Sequence, residues 1–186
     1  MSEIHSLLII PRLRVQNANA ISSPMTWGFP AMSAFLGLMH ALERKCPEHI
    51  NLEFEGVGIV CHEFSPQVSD SGRTKAFHLT RNPVDKKGGT AAIVEEGRAH
   101  FDITLVFAVR GEACLVPKEQ RSAIAAEVAD VLAGMRVAGG TVVPPLLGEN
   151  SQRFNAKLIP LNEQPDERAR QFKRLRRSWL PGFSLV

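Results

Sequence analysis

Two stretches with apolar residues at helical spacing, each set between short apolar runs of strand length, constrain this 186-residue chain more than any other feature. Met32, Phe35, Leu38, Met39 and Leu42 share one face of a helix over 31–46, which Pro47 stops. Ile124, Val128, Val131, Leu132 and Met135 do the same over 116–135. Around them Ile4 to Val15, Leu52 to Phe64, Ala91 to Val94, Phe101 to Val109, Thr141 to Leu147 and Lys157 to Leu161 read as strands. Gly56 and Gly58 point to a bulge, Pro11 to an edge or a strand end, and Pro144-Pro145 to a break after the Gly139-Gly140 turn. A last basic helix over Asp166 to Trp179 turns Phe172, Leu175 and Trp179 inward. The order strand, helix, strand, strand, helix, strand predicts an α+β chain of ferredoxin-like, RRM-like βαββαβ arrangement.

Composition narrows the partners rather than the fold. Hydrophobic content of 44% and charged content of 22% are those of a globular protein, and 186 residues suit one domain, alone or with a small appendage. The net charge of +3 is mild, so an acidic partner would be drawn by a patch and not by the total. Residues 164–186 supply such a patch, with Arg168, Arg170, Lys173, Arg174, Arg176 and Arg177 against Asp166 and Glu167. A charge run on a helix is also an ordinary solvated face. Cys46, Cys61 and Cys114 are odd in number and form no CxxC, which predicts a reduced, cytoplasmic setting. No apolar run is long enough to span a bilayer, and nothing reads as a signal peptide.

Between the first strand and the first helix lies QNANAISSPMTWGFP, Gln16 to Pro30. It follows LLIIPRLRV, which ends in Arg12 and Arg14. Arginine pairs with phosphate, amides and hydroxyls bond base edges, and rings such as Trp27 and Phe29 stack on bases, so these groups suit single-stranded RNA. The same Asn, Ser, Pro and Gly are also the residues of a plain surface loop. A second candidate is Arg73 to Gly97, where Arg73, Lys75, Arg81, Lys86 and Lys87 interleave with Phe77, His78 and Asn82. Charge alternating with ring suits a projection laid on a nucleic-acid backbone, or a solvated hairpin.

Four strings resemble one family. QNANAISSPMTWGFP, GVGIVCHEF (Gly56 to Phe64), FHLTRNPVDKKGGTAAIVEEGRAH (Phe77 to His100) and LPGFSLV (Leu180 to Val186) occur in the order found in the second subunit of the Csy complex. That complex is the type I-F CRISPR surveillance assembly, and the subunit belongs to the Cas-five branch of the RAMP proteins. The resemblance implies the ferredoxin-like RAMP fold over 1–163, a thumb-like β-hairpin inserted around 68–97, and a basic helix and tail over 164–186. It implies a non-catalytic RNA binder that holds the 5′ handle of the guide RNA and pairs with the large Csy subunit. It also implies contact with the first backbone subunit and, through the assembled complex, target DNA, with no cofactor, metal or membrane. If the handle is bound, side-chain chemistry makes Arg12, Arg14, Gln16, Asn17, Asn19, Ser22, Ser23 and Trp27 the expected contacts. Arg73, Lys75, Phe77, Arg81 and Asn82 would be contacts on the thumb, with Phe77 as a wedge. Arg136 matches an arginine before the family's double-glycine stretch, where RVAGG would offer backbone N–H groups to a phosphate or simply stop a helix. Family members run on past LPGFSLV.

RAMP relatives include guide-processing ribonucleases, so the six histidines matter. Metal-free RNA cleavage needs a base and an acid at one phosphate. His62 and His100 lie on separate strands and could converge, as many pairs could by chance; His40 sits beside the core row of its helix. There is no HExxH, no zinc-spaced cluster and no phosphate-binding glycine motif, and adjacent Glu95 and Glu96 point to opposite faces of a strand. The sequence supports no catalytic site. A ribonuclease and a protein-interaction module without RNA affinity stand as rival expectations.

Overall fold

A computed structural model of the chain describes residues 6–81, 84–90, 93–144 and 155–185. In chain order the elements are β1 (Ser6–Asn19), β2 (Ile21–Ser23), β3 (Thr26–Trp27), α1 (Met32–Lys45), β4 (Glu53–Pro66), β5 (Val68–Asp70), β6 (Lys75–Phe77), β7 (Leu79–Arg81) and β8 (Ile93–Glu95). They continue with β9 (Arg98–Arg110), α2 (Lys118–Ala133), β10 (Arg136–Val137), β11 (Gly140–Val143), β12 (Lys157–Pro160), α3 (Pro165–Ser178) and β13 (Phe183–Leu185). The architecture is mixed α+β around an antiparallel seven-stranded sheet of order β10-β11-β1-β9-β4-β13, with β12 pairing the other stretch of the β11 edge of β1. The principal elements β1, α1, β4, β9, α2 and β11 follow the predicted order.

The sheet has a strongly apolar inner face. Helices α1 and α2 cover it, and Phe35, Leu42, Val128 and Leu132 reach Leu8, Val15, Ile103, Leu105 and Phe107, all of them buried. Each fully buried side chain of this size stabilises the fold by about 1.5–3 kcal/mol. On the outer face Leu7, Ile9 and Val106 form a smaller apolar group under Leu175 and Trp179. That explains LLII at the start of β1: both faces of the strand are covered there, so no polar alternation appears.

Farther along, β1 is interrupted twice. Its inward residues are Leu8, Ile10, Leu13, Val15 and Ala18, so the alternation skips a residue after Ile10 and again after Val15. The pairing with β9 shifts register at the same two places, and Arg12 (φ 55°) and Asn17 (φ 56°) take the left-handed conformation there. These are β-bulges, which re-aim the strand's side chains without ending it. The strand therefore runs through Asn19, and Gln16, Asn17 and Asn19 lie in it rather than in a loop. Buried Ala18 and Ala20 hold that extension against the core side.

Two other expectations change. RVAGG is not a helix stop, because α2 ends earlier, at Ala133. It is the β10–β11 hairpin, with Ala138 (φ 49°) and Gly139 (φ 78°) as a two-residue turn of the primed kind. At Gly140 a Cβ would stand 2.7 Å from the Gln16 carbonyl oxygen, so only glycine permits that strand to approach β1. The expected bulge near Gly56 is present between Phe54 and Gly56, and a second in β4 falls between Cys61 and Glu63, at His62. The insertion between β4 and β9 is not one hairpin but two successive ribbons, β5–β6 and β7–β8. The expected strand end at 145–147 lies outside the described residues.

Candidate nucleic-acid interface

Beyond the apolar group under α3, the outer face of the sheet turns polar. His100, Asp102 and Thr104 alternate along β9, with Arg12 and Arg14 beside them on β1 and His62 on β4. Arg12 binds the Asp102 carboxylate at 2.9 Å, and its backbone N–H donates to Thr104 Oγ1 at 3.2 Å, which holds the left-handed bulge. His62 bonds Thr104 Oγ1 through Nε2 at 2.8 Å and the Pro181 carbonyl through Nδ1 at 2.6 Å. Since a carbonyl only accepts, Nδ1 carries the proton there, and Nε2 then accepts from the Thr104 hydroxyl. Burial pushes the Asp102 carboxyl above its ordinary range, and the Arg12 guanidinium offsets part of that push. Arg14 stands opposite Asp102 in register, yet no ion pair joins them.

One turn of the sheet further on, the second bulge is braced from three sides. The Asn17 N–H donates to His100 Nδ1 at 3.2 Å, its Oδ1 accepts from Gln67 Nε2 at 3.0 Å, and its carbonyl accepts from Arg98. The Gln67 amide lies against His100 Nε2, and Arg98 pairs with Glu96. Asn19 closes on the backbone of Ile21 with both amide atoms, at 3.0 Å each. Ser22 donates to the Thr26 carbonyl, and Ser23 accepts from the Met25 N–H. Asn17, Asn19, Ser22 and Ser23 thus hold the strand end and the β2–β3 ribbon in shape, whereas Gln16 is exposed with no side-chain partner among the described residues. Both ring nitrogens of His62 are engaged, and His100 Nδ1 takes the Asn17 N–H. His62 meets Thr104, four residues along β9 from His100, a spacing of about 13 Å. The two rings therefore do not converge on one phosphate.

The rings divide. Phe29 is half-buried against Phe35, Phe64 and Phe101, so it belongs to the core and not to a stacking surface. Trp27 stays 44% exposed and meets Phe77 edge-on at 5.4 Å. Phe77 is half-buried at the base of the first ribbon, over Gly97, where a Cβ would lie 2.6 Å from Ile21 and 3.2 Å from the Phe77 ring. Arg73 and Lys75 are exposed on that ribbon, and Arg81 ends β7; Asn82 lies outside the described residues. At the far end of the second ribbon Asp85 accepts from the N–H groups of Lys87 and Gly89, both at 2.8 Å, and this turn presents Lys86 and Lys87 to solvent.

Arg136 is exposed beside the hairpin turn, 3.5 Å from the Gly139 carbonyl. On α3, Leu175 and Trp179 face the sheet as expected, but Phe172 is 40% exposed and only meets the edge of Trp179. Arg170 pairs with Glu167, and Arg168 caps the carbonyls of Asn162 and Glu163, while Lys173, Arg176 and Arg177 stay exposed. Among the described residues no three His, Cys, Asp or Glu side chains gather as metal ligands, and no helix is long and apolar enough to cross a membrane.

Sequence reasoning passed over Asp102, Thr104, Gln67 and Arg98. The available signal was Asp102 itself, the one acid inside FDITLVFAVR, where an apolar strand should hold none without a reason. A family model described as CRISPR-associated protein (Cas_Csy2) matches residues 8–186. The chain is 45% identical over 188 aligned residues to the CRISPR-associated protein Csy2 of Pseudomonas aeruginosa (strain UCBPP-PA14), an alignment that covers all of this chain and 57% of that relative. The chain thus spans little more than half the length of the curated relative it matches.

Proposed function

The chain belongs to the CRISPR-associated Csy2 family, and on that footing we propose that it is a non-catalytic subunit of a type I-F CRISPR surveillance complex that grips the 5′ handle of the guide RNA. The match along the whole chain carries this reading. The strand order β11-β1-β9-β4 with two helices on one face supports a ferredoxin-like RAMP fold over 1–163, with the paired ribbons as its thumb and 164–186 as a basic appendage.

Within this reading basic side chains such as Arg12 hold phosphates, and the polar strand end and its ribbon form the wall along which the handle lies. Arg12, Arg14, Gln16, Asn17, Asn19, Ser22, Ser23 and Trp27 make the main contacts. Arg73, Lys75, Phe77, Arg81, Asn82 and Arg136 extend them. Exposed Gln16 and Trp27 are free to bond and stack at once, while Asn17 and Asn19 act mainly by shaping the surface. The chain works in the cytoplasm with the large Csy subunit and the first backbone subunit. Target DNA is then read by guide pairing, with the protein holding backbone.

Binding of the chain to labelled handle RNA and to a scrambled RNA, at two salt concentrations, tests the reading. About five neutralised phosphates would lower affinity about a hundredfold between roughly 50 and 200 mM salt. Salt-sensitive preference for the handle with intact RNA is the expected result. Equal binding of both RNAs, or cleaved RNA, overturns it.

A further inference from the structure

Asp102 is only 8% exposed, and its carboxylate is half-used. Oδ2 receives Arg12 at 2.9 Å, whereas Oδ1 is buried with no hydrogen-bond partner among the described residues. Directly across the ladder, Arg14 Nη1 is buried and equally without a partner. An ionised acceptor and a guanidinium donor are costly groups to leave unpaired, and each such case in a folded chain calls for an explanation. Here the two stand opposite each other without pairing. Together with Pro11, Arg12 and Lys118 they border a cavity of about 1270 Å³ among the described residues.

A lone phosphate does not explain the pair. It brings acceptors only, and Asp102 Oδ1 needs a donor. A nucleobase edge carries a donor beside an acceptor, so an amino or ring N–H group can give to a carboxylate while a ring nitrogen or carbonyl receives from arginine. Arg12 and Lys118 on the same cavity are placed for the flanking phosphates.

Resting on the guide-RNA reading above, we propose that Arg14 and Asp102 form a subsite that reads the edge of one unstacked base of the bound RNA. The flexible Arg14 stem swings to admit the base, and the two unpaired groups then close on it. Arg12 keeps its bond to Asp102 and so fixes the carboxylate plane.

The test uses the full chain, with Asp102→Asn and Arg14→Lys, against handle RNA and a set of handles altered at one nucleotide each. Wild type should discriminate at one position in particular. Each variant should bind the handle about tenfold more weakly and lose discrimination at that same position, with the salt dependence unchanged. Removal of a negative charge beside arginines that merely held phosphates would have the opposite sign. Tighter binding of Asp102→Asn to handle and scrambled RNA alike, or discrimination kept at every position in both variants, overturns the proposal and leaves an ordered water as the partner of Oδ1. If thermal unfolding shows that Asp102→Asn is not folded, Arg14→Lys decides alone by the same criterion. Failure of wild type to prefer the handle is a different result: it defeats the guide-RNA reading, and this subsite with it.

Discussion

The outer face of the sheet has two halves built on the same strands. Under α3 it is apolar, made by Leu7, Ile9 and Val106. Farther along β1 and β9 it holds Arg12, Arg14, His100, Asp102 and Thr104, with His62 alongside on β4. The same strands run through both with a bulge between them, so the change is one of chemistry and register and not of strand order. Leu175 and Trp179 need an apolar platform, and the platform ends where β1 bulges at Arg12. A bulge costs one ladder position and a left-handed residue, and here it is the point at which a covered face becomes one with polar groups on offer. The lesson is that one strand can serve a core and an interface in succession, provided the register device lies between them.

The strongest way to break this contrast is to carry the polar half into the apolar one. Ile9→Arg buries a charge under α3 at a position 4% exposed. We expect a loss of at least about 3 kcal/mol in urea unfolding and rapid proteolysis within residues 161–180. A loss under about 1 kcal/mol would mean that α3 is held by something other than this platform.

The second bulge separates bracing from reading. Asn17→Gly keeps the left-handed backbone and loses only the amide bond to Gln67, at a cost below about 1 kcal/mol. Asn17→Ala also strains the backbone, and the loss should rise to about 1–2 kcal/mol. If the amide reads RNA, both variants lose handle affinity equally. If it only braces, affinity falls with stability, and Asn17→Gly binds nearly as wild type.

How far the sequence could reveal this is clearest on β1 itself. Leu13, Arg14 and Val15 alternate as a half-buried strand must, and the helix α1 showed in the spacing from Phe35 to Leu42. The strand's extension to Asn19 did not show, because Gln16, Asn17 and Asn19 have turn chemistry and a pattern shifted by one residue reads as no pattern. Only Ala18 and Ala20, small and fully buried, carry the phase across. Phe29 was misjudged for a related reason: composition cannot say which of two rings in a loop finds the core. The basic residues were legible as exposed, since charge seldom goes inside. Asp102 was not, since its meaning depends on Arg12 and Arg14 arriving from a strand nearly ninety positions earlier.

Asp102 gives a smaller, pH-dependent difference. Its folded carboxyl takes up a proton more readily than the unfolded one. The folded state therefore binds more protons over that window, and the group's contribution to stability falls as pH rises from the unfolded value through the folded one. Wild type should lose stability relative to Asp102→Asn across that acidic window and run parallel to it above. A difference that grows in the other direction would mean that Arg12 outweighs burial.

The smallest effect on stability, and the sharpest on mechanism, belongs to the far ribbon. Lys86 and Lys87 are exposed and presented by the Asp85 turn, whose bonds come from backbone N–H groups and not from the lysine side chains. Lys86→Ala with Lys87→Ala should change unfolding free energy by less than about 0.5 kcal/mol. If the ribbon lies along guide RNA, the salt slope of handle binding should drop by about 1.4, the share of two phosphates on a single strand, with discrimination between handle variants unchanged. Asp102→Asn is its mirror: discrimination lost, slope kept. An unchanged slope in the double lysine variant would remove the second ribbon from the interface and confine RNA contact to the sheet face and the ribbons at its border.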